Sequence, residues 1–388
     1  MLEYLESDAT GIAEAVGRGE ASAVQVVRAA LERLAAVEPV LRAFRRVLAE
    51  QAMADAQAVD RAVARGERLP LAGVPIAVKA WDGLEAPQTV LLRRAGCVVI
   101  GLTSVPGPHT PWQTWGRTER GPTVNPWRAD RTPGGSSAGS AVAVAARVVP
   151  LATGSDGAGS IRIPAAWCGV LGLKPTNGRV RGHDAAGLNV PGALVRTSRD
   201  AALYLSVLLG EEIAPAGPEP LRAVWSGSLG FAQVDPEQAA LARAAAERLH
   251  RAGRLVWRDH PVRLLDPGPA WHALRELGGD RENARRIRRA NDDRLRAVFA
   301  EADVLLTPTT PLPPHGHDGP GEAMPVDLTW GFNISGHPAI SIPAGRAADG
   351  TPVGLQAVAR HGREDVLLRL AADLERLSPW PVPVIADA

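Results

Sequence analysis

The sequence predicts an α/β fold built on a mixed, mostly parallel β-sheet, and three observations predict it. Short apolar, β-branched runs recur: "GVPIAVK" (73–79), "CVVIGLT" (97–103), "VPLATGS" (149–155), "DVLLTP" (303–308) and "PAISIPAG" (338–345). Stretches of helical character separate them. The 388 residues are 45% hydrophobic, which suits a large core in one big domain or two moderate ones.

In chain order, the first third reads helical. Ser22 and Gln25 form a capping box before "VVRAALERLAAV". A long Ala/Arg/Asp helix is expected from about Arg42 to Arg65, stopped by Gly66. The strand 73–79, a helix in "TVLLRRAG" (89–96) and the strand 97–103 follow. Next come a small-residue helix in "SAGSAVAVAARV" (137–148) and the strand 149–155. The Pro/Gly/Glu-rich "GEEIAPAGPEP" marks a subdomain seam between about 208 and 222. Beyond it Asp235 caps a helix, with Pro236 in the first turn and Gln238 three residues after the cap. Two further strands and a helix in "REDVLLRLAADLERL" (363–377) complete the series.

Composition excludes several classes. A net charge of +1 gives no footing for a nucleic-acid or membrane partner. "RENARRIRRANDDR" (281–294) interleaves acids with its bases and reads as a solvated helix. The cysteines, Cys97 and Cys168, imply a reducing compartment without a disulfide framework or a Cys-based zinc site. "MLEYLESDAT" lacks a basic-then-apolar signal pattern, and no apolar run is long enough to span a membrane, so a cytoplasmic protein is expected. "HGHD" (315–318) lacks metal-ligand spacing and reads as solvated. "GSDGAG" is neither a dinucleotide fingerprint nor a P-loop.

The chemistry-bearing residues stand out against this background. Of 43 basic residues only Lys79 and Lys174 are lysine. Lysine is irreplaceable where a buried cation must lose its proton, which arginine does not do. Two glycine-rich stretches, "TPGGSSAGS" (132–140) and "SDGAGSIR" (155–162), can each hold a nucleophilic serine. Gly135 to Gly139 fits G-x-S-x-G, which would make Ser137 the nucleophile of an elbow. An elbow needs a strand before it, and "NPWRADRTPG" is turn chemistry. Ser160 instead follows Gly157, Ala158 and Gly159, whose successive amides suit an anion-binding nest. No histidine lies near either stretch. The candidate base is Lys79, ending an apolar strand, provided burial lowers its pKa from about 10.4 towards 7–8, at a cost of about 4 kcal/mol.

The long stretch "PGGSSAGSAVAVAARVVPLATGSDGAGSIRIPAAWCGVLGLKPTNGRV" resembles the signature region of the amidase signature family. "LAGVPIAVK", "ADVLLTPTTPLPP" and "FNISGHPAISIPAG" resemble other family segments, so the likeness covers most of the chain. It implies one domain over 1–388, with an N-terminal helical segment 1–70, a catalytic core of about 71–208, and a portion of about 222–388 completing the same sheet, with helices on both sides. It implies hydrolysis of a small-molecule amide through a serine acyl-enzyme, without metal or organic cofactor. By the same resemblance Ser160 is the nucleophile, Ser136 the relay, entered through a cis peptide bond, and Lys79 the base. Backbone N–H groups of Gly157, Ala158, Gly159 and Ser160 would form the oxyanion hole. Ser137 would orient Lys79 or its loop, Asp156 and Arg162 would hold the loops, Lys174 would be structural, and Cys168 a buried small residue.

Three departures from the family accompany the likeness. Ala80 stands where an acidic residue is common, the segment between Lys79 and "CVVIG" is short, and so is the stretch of about 208–300. Trp112, Trp115 and Trp330 are candidates for an aromatic wall, or for ordinary packing. Two rival readings are a glutaminase subunit of an amidotransferase, which needs partner chains, and an inactive family member acting as a binding protein. The sequence leaves a homodimer open.

Overall fold

The computed structural model describes residues 3–108, 110–182, 184, 186–275 and 279–385. Its first strands are β1 (Phe44–Val47), β2 (Pro75–Lys79) and β3 (Val98–Thr103), followed by a two-residue pair, β4 (Arg117–Thr118) and β5 (Gly121–Pro122). Then come β6 (Leu151–Asp156), β7 (Leu171–Lys174), β8 (Val190–Val195), β9 (Leu221–Trp225) and β10 (Leu255–Trp257). The last are β11 (Val304–Pro308), β12 (Ala339–Arg346) and β13 (Pro352–Ala359). The helices are α1 (Ala9–Gly17), α2 (Ala23–Leu41), α3 (Ala49–Ala64), α4 (Pro87–Arg94), α5 (Ala138–Ala145) and α6 (Arg162–Cys168). They continue with α7 (Ser198–Leu209), α8 (Pro236–Arg251), α9 (Gly268–Arg275), α10 (Arg281–Glu301), α11 (Gly331–Ile334) and α12 (Glu364–Leu377).

Eleven strands form one mixed sheet in the order β1-β3-β2-β6-β8-β7-β12-β13-β11-β9-β10. Parallel order is concentrated in two runs, β3-β2-β6 and β11-β9-β10. The pairings between these runs, and that of β1 with β3, are antiparallel. The alternation of apolar runs and helices does not reveal that middle. β13 returns beside β12 after a short turn, and β7 and β8 are broken by glycine and proline. β2, β6, β7, β8, β11 and β13 are buried at every residue, because helices cover both faces of the sheet. Residues 210–220 join α7 to β9, and strands on either side of them belong to this one sheet.

The helix expected from Arg42 begins only at Ala49. Arg42 adopts a left-handed conformation (φ 51°) that ends α2. The Glu38 carboxylate then accepts the N–H groups of Ala43 (2.9 Å) and Phe44 (3.0 Å), which turns the chain into β1 along the β3 edge. The capping box of Ser22 and Gln25 is formed, and Asp235 accepts the N–H groups of Glu237 and Gln238.

The site follows from β2 and β6, which lie side by side and parallel. Their carboxyl ends, Lys79 and Asp156, therefore emerge at the same edge, where the ends of open α/β sheets hold ligands. The amino ends of α5 and α6 bring both glycine-rich stretches to that edge.

Candidate active site

Lys79 is 1% exposed. Its Nζ lies 2.9 Å from Ser136 Oγ, 2.9 Å from Ser155 Oγ and 3.0 Å from the Ser155 carbonyl. Ser155 Oγ donates its own proton to Asp82 Oδ1 at 3.0 Å, so it can only accept from the lysine. The carbonyl also only accepts. Both positions require lysine N–H groups, which leaves the direction of Ser136 as the one where a neutral amine presents its lone pair. Burial pushes the Lys79 pKa down to about 8, against the upward pull of Asp82 and Asp156, and Arg275 lowers it further.

Ser155, Asp82 and Gln88 escaped the sequence reading. Asp82 supplies an acid near Lys79 although Ala80 follows it. The turn after β2 brings Asp82 back, with its N–H 3.0 Å from the Lys79 carbonyl. Gln88 holds the carboxylate (3.2 Å), anchored by Gly154 O and the Tyr204 hydroxyl. The signal in the sequence was the pair of polar residues flanking so short a segment.

Ser136 follows a cis peptide bond from Gly135. A Cβ at Gly135 would lie 2.3 Å from Gln113 O and 2.5 Å from Trp115 O, so only glycine fits. Ser136 and Ser160 line the same cleft of about 570 Å³, together with Lys79. Ser137 does not join them. It is fully buried, and its hydroxyl has no hydrogen-bond partner among the described residues. Its N–H donates to Ser160 O at 3.1 Å. The hydroxyl that orients Lys79 is therefore that of Ser155, which corrects the expectation for Ser137. The elbow reading fails as well, since no strand precedes Ser137 and its side chain does not reach the cleft.

Asp156 and Arg162 form a fully buried pair that organises the loop of Gly157 to Ser160. Asp156 Oδ1 accepts from Gly159 N (2.7 Å) and Arg162 Nη2 (2.8 Å), and Oδ2 from Arg162 Nε (3.0 Å). Although burial opposes it, the Arg162 charge and these hydrogen bonds hold the carboxyl well below the usual range. Arg162 continues to Thr329 O, Gln356 Oε1 and Asn333 Oδ1, tying the loop to the later segments. The Gly159 N–H is thus committed to Asp156 and leaves the set expected for the oxyanion hole. The N–H groups of Gly157, Ala158 and Ser160 find no acceptor among the described residues. Gly159 has φ +117°, and a Cβ there would lie 2.3 Å from Thr329 Oγ1.

Trp81, Trp112, Trp271 and Trp330 line the cleft with Ile163, Met324 and Val326. Trp115 does not; its Nε1 donates to Thr110 Oγ1. Trp271, missed from sequence, donates to Gly157 O at 2.8 Å. His315 is not solvated as expected. It is half-buried, with Nε2 2.7 Å from Thr114 Oγ1, and packs edge-on against Trp167. Lys174 is fully buried away from the cleft, donating to Pro175 O and Asn177 Oδ1, and Cys168 is fully buried. No group of residues suited to a metal ion is found among the described residues. No helix among them is long and apolar enough to cross a membrane.

A buried lysine and two small-residue turns, each with a serine, meet at one cleft in the arrangement expected of the amidase class. The amidase family model matches residues 25–81, 84–253 and 274–368. The chain belongs to the amidase signature family and is a hydrolase of carbon–nitrogen bonds in amides. It is 34% identical to the putative amidase AmiA2 of Mycobacterium tuberculosis, over 92% of this chain and 90% of that one. It is 32% identical to an acylamidase of Rhodococcus erythropolis, over 98% and 97%. The latter alignment runs over 467 positions against 388 residues, so the relative carries segments this chain lacks. The structure of a bacterial aryl acylamidase of the family superposes with a TM-score of 0.83 at 26% identity, covering 96% of each chain.

Proposed function

We propose that this amidase works through an acyl-enzyme on Ser160, with Ser136 as relay and Lys79 as base, on amides with an apolar or aromatic body. The observation that carries the reading is Lys79, buried, shifted towards neutrality, and hydrogen-bonded so that its free electron pair faces Ser136. Neutral Lys79 accepts the Ser136 hydroxyl proton as Ser136 takes that of Ser160. Ser160 Oγ attacks the amide carbonyl, and the oxyanion is held by N–H groups of Gly157, Ala158 and Ser160. The proton returns through Ser136 to the leaving amine, and water then releases the acid. The four tryptophans favour a flat or apolar substrate, as does the likeness to proteins named acylamidase and aryl acylamidase.

The test is labelling with a fluorophosphonate near pH 8, with the adduct mapped by peptide mass spectrometry. The expected adduct is on Ser160 and fades in Lys79→Ala. An adduct on another serine, or none, overturns the assignment. No label on a chain that is labelled only with a partner present would favour the amidotransferase reading.

A further inference from the structure

One cation in the cleft has no place in the mechanism above. Arg275, the last residue of α9, lines the cleft and stacks over the Trp271 ring, 4.7 Å from its centroid. Trp271 in turn is fixed to the nucleophile loop through Gly157 O. The guanidinium reaches that loop, for a Cβ built on Gly157 would lie 2.5 Å from Arg275 Nη2. No hydrogen bond or ion pair occupies Arg275 among the described residues. The described residues lining the cleft include no Asp or Glu. Asp82 and Asp156 lie behind the wall, committed to Ser155 with Gln88 and to Arg162. When Lys79 is neutral, as the reaction requires, Arg275 is the one permanent positive charge facing the substrate from these lining residues.

An exposed arginine near an amide site needs no ligand in general. This one is held by an aromatic face beside the loop that receives the carbonyl, in a cleft that away from Lys79 and the serines is lined mostly by tryptophan, proline and aliphatic side chains, with the polar Gln113, Thr114, Asn189 and His272 among them. A planar fork of donors in that setting matches a carboxylate. We infer that Arg275 selects amides that carry a carboxylate in addition to the scissile bond, so that the substrate class is an apolar amide acid. This rests on the amidase reading above and names the substrate class of the same site. Arg275 is a specificity determinant here; the bond is broken at Ser160.

The experiment compares matched pairs on the full chain. N-benzoylglycine against N-ethylbenzamide places the carboxylate on the leaving amine. Adipic monoamide against hexanamide places it on the acyl part. The quantity read is the ratio of kcat/KM, acid over neutral, within each variant, so any general loss cancels. The native protein is expected to favour the acid of at least one pair by about tenfold or more, the scale of a charge-assisted hydrogen bond. Arg275→Ala should bring that ratio towards one, and Arg275→Lys should keep part of it. A native ratio near or below one in both pairs overturns the inference. So does a ratio that survives Arg275→Ala, whether or not both substrates slow together. Fluorophosphonate labelling of Ser160 in every variant separates the cases: labelled protein without acid preference refutes the role of Arg275 alone, and absent labelling refutes the underlying Ser160 acyl-enzyme reading and the inference with it.

Discussion

The lysine makes a quantitative prediction. Its pKa of about 8, against 10.5 for a free lysine, represents about 3.4 kcal/mol of environment acting on the charged form. At pH 7 an exposed lysine is neutral in roughly 0.03% of molecules, and Lys79 in roughly 10%, a gain of about 300-fold in the reactive form. Between pH 7 and pH 9 the neutral fraction climbs from about one tenth to about nine tenths. The rate of Ser160 acylation, measured by stopped-flow burst with an activated ester, should therefore rise about tenfold over that range and level off above it. Two variants should move the midpoint in opposite senses. Asp82 pulls the lysine pKa up, so Asp82→Asn shifts the profile to lower pH; Arg275 pushes it down, so Arg275→Ala shifts it to higher pH. Lys79→Arg, permanently charged, should show no rise at all. A profile flat from pH 7 to 9, or a rise over that range that survives Lys79→Ala, would refute the lysine as base.

Three further outcomes follow from the same geometry. Ser155→Ala removes an acceptor from Lys79 and the bridge to Asp82, so kcat should fall at least tenfold with KM little changed, read by steady-state kinetics. Arg162→Ala leaves the Asp156 carboxylate buried without its partner, and should cost about 3–5 kcal/mol in chemical denaturation. Both buried lysines bind their proton more weakly in the folded chain, Lys174 with a pKa of about 7 and Lys79 of about 8. The unfolded chain thus holds more protons above about pH 7, and stability should rise from pH 7 to 8.5, before the buried thiols and tyrosines begin to ionise on unfolding; urea midpoints check the sign.

Much of this site is legible in the sequence because its parts are local. The scarcity of lysine isolates Lys79 at the end of an apolar run, and the small residues around Ser136 and Ser160 announce close backbone approach. The parts that were not legible depend on contacts across the chain. β1 hides within an Ala/Arg stretch because its four residues become a strand only through the left-handed turn at Arg42 and the pairing with β3. Gly159 reads as one amide of a nest, yet Asp156 claims its N–H, and only the fold of the turn decides which amides stay free. Trp271 and Arg275 belong to a helix distant in sequence from both serines.

The short segment after Lys79 shows how a loss is offset. With Ala80 following the lysine, no acid is next to it in the chain. The same shortening leaves a tight turn in which the N–H groups of Asp82 and Gly83 both reach the Lys79 carbonyl. That turn carries the Asp82 carboxylate to Ser155, and Ser155 in turn fixes two of the three directions around the amine. An acid set one hydroxyl away raises the lysine pKa less directly than one in contact, while burial keeps it near 8. The shortened segment therefore leaves the lysine oriented and partly neutral at ordinary pH, which is the condition the proposed proton relay requires.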